Sequence, residues 1–286
     1  MNRYRNLMFT PLSKIFLACL CLSVASCNII NPDEDIPTYL YLHSPTLITD
    51  ENSEGLATEK ISDAWVFVND ESFGVYELPA HIPLLADGRN AISILAGIKN
   101  NGSSVDRNQY PFYNSDTMTL NLVATETDTI IPEFEYLKSI TFELIEDFET
   151  GNEFEKLERI TDSSIAQYGS NVGAILLGDS IESRSITSLT EFDLPSGGVT
   201  VYLELDYKND NTFFVGIIGH LNSGEAVEAL KVVVTPQENW NKIYVDLTEE
   251  VGVLNGGTHQ ILFFADLDDE NTEAKIYLDN IKLIHF

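Results

Sequence analysis

The residue types that most often carry chemistry are sparse or badly spaced in this chain. Its five histidines, His43, His81, His220, His259 and His285, form neither a His-Glu-x-x-His motif nor any local metal pair. The stretch YGSNVG (168–173) lacks the Gly-x-Ser-x-Gly spacing of a nucleophile elbow. DLDDENTEAKIY (266–277) opens like a calcium loop with Asp266, Asp268 and Glu270. Asn271 stands where glycine is required and Tyr277 where the bidentate glutamate belongs, so an EF-hand is excluded and the stretch reads as a hairpin turn. With 45 Asp+Glu, carboxylate pairs at glycosidase spacing arise by chance and carry no weight. The chain is therefore read as non-enzymatic, with no catalytic residue assigned.

Aromatic faces are the other chemistry on offer. Sugars pack C–H patches on rings while polar groups fix their orientation. NQYPFYN (108–114) gathers Tyr110, Phe112 and Tyr113 around Pro111 beside a polar loop, either as a surface patch or as a lid over a core. Trp240 shares parity with Lys242 and Tyr244 on the wetter face of its segment, while Ile243, Val245 and Leu247 point inward. Trp240 and Tyr244 are thus candidate ligand platforms, as are Tyr110 and Tyr113. Trp65, in AWVFV, is expected in a core.

Charge narrows the partners. The 286 residues carry 16 Lys+Arg against 45 Asp+Glu, a net charge of −29. Nucleic acid is excluded, because its binding rests on Lys and Arg neutralising phosphates. Residues 1–26 run against this trend, with Arg3, Arg5 and Lys14 and no acid. The positive start and the short apolar run IFLACLCLSVAS fit a secretory signal, being too short for the ~20 apolar residues of a membrane span. Val24-Ala25-Ser26-Cys27 resembles a bacterial lipobox, which implies cleavage before Cys27 and lipidation of that residue. Cys19 and Cys21 leave with the signal, so the mature body has no free thiol, disulfide or thiolate metal site. Residues 27–37, with two prolines and three acids, read as a tether to a membrane.

From Tyr39 onward the sequence is written in short alternating segments separated by Gly, Asn, Asp and Pro turns. DAWVFVND and ESFGVYELP form an expected hairpin, and TMTLNLVA turns Met118, Leu120 and Leu122 inward. The best helix is LTEEVGVL (247–254). The pattern predicts an all-β fold of two β-sandwich domains, 38–137 and 138–286.

Three patterns in the second half carry a resemblance. EDFE (146–149) opens it, ENWNKIYVDLT (238–248) follows late, and IYLDNIKL (276–283) closes it. In that order they resemble a jelly-roll carbohydrate-binding module of the galactose-binding-like type. The resemblance implies a jelly roll, glycan binding, and first and last strands that lie side by side and hold a structural calcium. Asp147, Glu149 and Asp279 are then the metal ligands, since Ca²⁺ takes about 6–8 oxygens. In that family the tryptophan at the place of Trp240 plugs the end of the sandwich. Residues 36–137 resemble the small β-sandwich that precedes such modules in lipoproteins of Bacteroidota, which implies an outer-membrane lipoprotein with display at the cell surface. The competing expectation is a structural or adhesion lipoprotein whose sandwiches act as spacers.

IYLDNIKL also breaks its own alternation. Ile276 and Leu278 share one parity and Ile281 and Leu283 the other, with the slip at Asp279-Asn280. A bulge there lets all four serve one core and turns Asp279 away from it.

Overall fold

Alternation decides the first half. The computed structural model describes residues 34–286 apart from 179, 255 and 270, so Cys27 and the signal segment lie outside the described residues. The strands run β1 (Thr38–Leu42), β2 (Thr46–Ile48), β3 (Asp63–Val68), β4 (Glu71–Glu77) and β5 (Ala80–Leu84), then β6 (Gly88–Lys99), β7 (Arg107–Gln109), β8 (Asp116–Leu122), β9 (Thr127–Ile130) and β10 (Glu133–Glu135). One helical turn, α1 (Glu51–Glu54), is capped by Asp50. Strands β4-β3-β6-β7, with β8 also on β6, make one layer; β5-β1-β9 and β10-β2 make the other. Leu40, Leu42, Val66, Ile82, Ile92, Ile94 and Ile98 are fully buried between them.

The expected hairpin joins β3 and β4. Asn69 and Asp70 both adopt positive φ, 51° and 67°, with Val68 opposite Glu71, as a two-residue turn requires. Met118 and Leu120 lean on the core and Leu122 is buried in it. Trp65 departs from expectation. Ala64 and Val66 enter the core, so Trp65 must face the other way, where it is half-buried.

The second half is a jelly-roll sandwich. Its strands are β11 (Thr141–Glu146), β12 (Phe154–Glu155), β13 (Glu158–Thr161), β14 (Asn171–Gly178), β15 (Ser183–Ser188), β16 (Val201–Asn209), β17 (Phe213–Leu221), β18 (Ala226–Val234), β19 (Gln237–Asp246), β20 (Gly257–Asp266) and β21 (Glu273–His285). One sheet runs β13-β14-β21-β16-β19 with β11 also on β21, and the other runs β12-β15-β20-β17-β18. Helix α2 (Thr248–Val253) lies within the expected 247–254 and buries Val251. Residues 266–277 do not form the expected hairpin. Strands β20 and β21 belong to different sheets, so the connection crosses between layers, and Asp268 Oδ2 accepts from the Thr212 amide at 3.0 Å.

The slip in β21 is a bulge. Glu204 faces Lys282, but Asp206 faces Asp279, so β21 spends one more residue than β16 over the same span. Asn280 absorbs it at φ 47°. Ile276, Leu278, Ile281 and Leu283 consequently share one core, each 1% exposed or less. The first strand lies beside the last, with Glu146 opposite Ile281.

Candidate functional site

Strand alternation gives the six-stranded sheet a charged outer face. On β16, Leu203 and Leu205 point into the core, which turns Glu204 and Asp206 outward. By the same rule β19 presents Lys242 and Tyr244, and β21 presents Lys282 beyond its bulge. The first sandwich docks on this face. Tyr110 and Tyr136 donate to Glu204 Oε1 at 2.5 and 2.9 Å, while Lys242 Nζ lies 2.9 Å from Glu204 Oε2. Lys242 also donates to Thr58 Oγ1 at 3.0 Å, and Lys282 to the Leu56 carbonyl at 2.8 Å. Asn101 N donates to the Tyr244 carbonyl and accepts, through its side chain, from Asp246 N, each at 2.9 Å.

Such charges are tolerated inside a protein only when paired. Burial opposes the Glu204 carboxylate, yet Lys242 and Lys282 hold it below its ordinary value. Burial, followed by the Glu204 charge, pushes the Tyr110, Tyr113, Tyr136 and Tyr244 hydroxyls well above theirs, so they remain protonated. The ammonium of Lys282 sits 5.0 Å from the centre of the Tyr136 ring. Three expected ligand platforms are therefore corrected. Tyr110, Tyr113 and Tyr244 are 3%, 6% and 2% exposed and packed ring against ring between the two sandwiches, with only Tyr244 bordering a cleft at the junction. The segment 108–114 is a lid over a core, that core being the junction itself.

The expected calcium ligands lie near enough to repel one another but do not form a metal-ligating group. No group of three or more His, Cys, Asp or Glu suited to a metal occurs among the described residues. Strand β11 ends at Glu146 and Phe148 takes φ 57°, so the parity that would align Asp147 with Glu149 is lost. Glu149 turns to the 170–171 loop and accepts from the Ser170 and Asn171 amides, each at 2.8 Å, and from both their side chains. Those hydrogen bonds, the Ser170 amide first, lower its pKa. Arg159 donates to the carbonyls of Phe148 and Glu149, placing a guanidinium where a cation would need those oxygens. Asp279 is 2% exposed, and its Oδ1 accepts from the Asn280 amide at 2.8 Å. These residues do not fit calcium.

Trp240 has a different fate. At one end of the charged face the first sandwich leaves a cleft of about 230 Å³. Trp240, Tyr168 and Gln167 line it together with Thr58, Glu59, Asp206 and Asn241. Trp240 is half-buried and its indole N–H donates to the Ile165 carbonyl at 2.8 Å, which fixes the ring; Tyr168 is 43% exposed. Asp206 Oδ2 accepts from Asn280 at 3.1 Å, and Lys242 lies 3.7 Å from its other oxygen.

Sequence reasoning missed the buried charges. A signal was present: VYLELDYK places two acids on one parity, while NKIYV and NIKLI each place a lysine among apolar residues. Their meeting depends on which strands pair, which no local pattern states. Tyr168 and Lys60 lie in irregular segments and carried no periodic signal.

No family model matches the chain, and no curated protein matches it in sequence. Several solved structures align with it at low similarity. The C-terminal family 22 carbohydrate-binding module of Clostridium thermocellum Xyn10B aligns at 13% identity and TM-score 0.36, over 50% of this chain and 92% of that one. The first family 22 xylan-binding domain of Paenibacillus barcinonensis Xyn10C gives 15% and 0.39, over 52% and 97%. A carbohydrate-binding module of the β-sandwich superfamily, described for promiscuous specificity, gives 14% and 0.36, over 88% and 99%.

Proposed function

We propose that this protein is a non-catalytic glycan-binding protein, held at an envelope membrane by lipid on Cys27, and that the sugar sits in the Trp240 cleft. The observation that carries the reading is the pairing, in one cleft, of two accessible rings with a floor of amide, hydroxyl and charged side chains. Rings take the apolar faces of a sugar and the polar floor takes its hydroxyls. The tie between Trp240 and Ile165 supports the reading, because a ring fixed in advance loses little freedom on binding. A non-catalytic role is supported by Asp206, which is held by Asn280 and Lys242 rather than free to shuttle protons.

The test is a glycan array probed with the intact protein and with Trp240→Ala. Trp240→Ala should weaken binding about tenfold or more, the worth of one stacking ring. Absence of binding to every glycan would sink the reading. It would leave a second one, a rigid spacer of two sandwiches, which the buried junction favours. Lipidation is tested separately: Cys27→Ala should move the protein from the membrane to the soluble fraction, and its retention in the membrane would overturn the anchor.

A further inference from the structure

A second cleft, of about 180 Å³, adjoins the first and shares Lys60, Asn241 and Lys242 with it. It lies at the same junction, and its charged side chains are all lysines: Lys60, Lys99 and Lys242. In a chain where acids outnumber bases 45 to 16, a cleft with three lysines and no carboxylate runs against composition. Lys242 is committed to Glu204 and Asp206. The other two are not. The Lys60 ammonium donates to the neutral Asn241 amide oxygen, and among the described residues the Lys99 ammonium has no hydrogen bond or ion pair. Other partly buried cations find carboxylates, as Arg107 does in Asp63 and Glu77, Arg184 in Glu158 and Lys231 in Glu249 and Glu250.

Resting on the glycan-binding reading above, we infer that this second cleft selects a sugar bearing an anionic substituent, a carboxylate or a sulfate ester, seated between Lys60 and Lys99 while a neighbouring sugar stacks on Trp240. Two like charges left facing one cleft repel each other, and an anion between them removes that cost while gaining charge-assisted hydrogen bonds. Burial, and then the Lys99 charge, already lowers the Lys60 pKa. The remaining wall suits a sugar, since Asn101, Thr235, Gln237 and Asn241 offer amide and hydroxyl groups. The volume is below the ~300–1,000 Å³ of drug-sized pockets, so it holds one residue of a longer chain. A dense polyanion is excluded by the net charge of −29, which repels it, whereas one local charge is matched by two lysines.

The experiment uses the intact protein and matched oligosaccharides: a neutral chain such as xylotetraose, the same chain with one glucuronic acid, the same chain with one sulfate ester, and inorganic sulfate alone. Either charged chain should bind about tenfold tighter than the neutral one, and the better of the two identifies the substituent. Lys99→Gln should remove that advantage while leaving the neutral chain's affinity and the thermal midpoint unchanged. Equal affinity for neutral and charged chains overturns this inference and leaves the glycan reading standing. Inorganic sulfate binding as tightly as the charged chains overturns it too, by making the cleft a plain anion site. Binding of none of the sugars overturns the glycan reading itself.

Discussion

Asp279 is the residue whose surroundings matter most to its chemistry. It points away from the domain core yet is 2% exposed, and burial, with Asp206, Asp147 and Glu149 adding repulsion, raises its pKa to about 8. The unfolded chain releases this proton near the ordinary value of 3.8. Between about pH 4 and about pH 8 the folded state therefore binds a proton that the unfolded state does not. Stability must fall as pH rises across that window, by up to about 1.4 kcal/mol per pH unit. Asp279→Asn should flatten this slope and be the more stable protein at about pH 8, as read by urea unfolding at several pH values. Equal slopes in the two proteins would mean that Asp279 is ionised when folded. The sequence singled this residue out, because an acid in an apolar strand at a phase slip is conspicuous. It could not say why the acid was there. A carboxylate gathered for a cation and a carboxyl neutralised by burial look identical until their neighbours are known.

At the scale of elements, the bulge in β21 decides which side chains reach the core. Deleting Asn280 removes the extra residue and restores strict alternation, which leaves Ile276, Leu278, Ile281 and Leu283 all inward and Lys282 outward. That chain should keep a cooperative unfolding transition by circular dichroism; loss of the transition would show that β21 needs the extra residue to hold its register against β16. The bulge was legible because a break in period is a local signal. So were the β3–β4 turn and helix α2. Two expectations failed for one shared reason, that a local pattern does not name its partner. Residues 266–277 look like a turn between paired strands but join two layers. Asp147 and Glu149 share parity on paper, yet the chain leaves the strand at Glu146 and Phe148 turns left-handed.

For the whole molecule, the junction makes two sandwiches into one unit. Glu204 is 0% exposed and receives Tyr110, Tyr136 and Lys242 at once, with contributions from both halves. Glu204→Ala leaves Lys242 and two tyrosine hydroxyls without their acceptor, and should cost about 3–5 kcal/mol. Calorimetry should show the parent melting in one transition and the variant melting earlier; two independent transitions in the parent would mean the junction does not couple the halves. The same architecture bears on how the chain is made. Strand β21 lies between β14 and β16 and, among the described residues, is also the strand that β11 pairs with, yet it occupies residues 273–285. Until those residues leave the ribosome, the six-stranded sheet lacks its middle and the second sandwich cannot close. Until then β14 and β16 lack the strand that joins them, and the apolar face they would bury stays open to water.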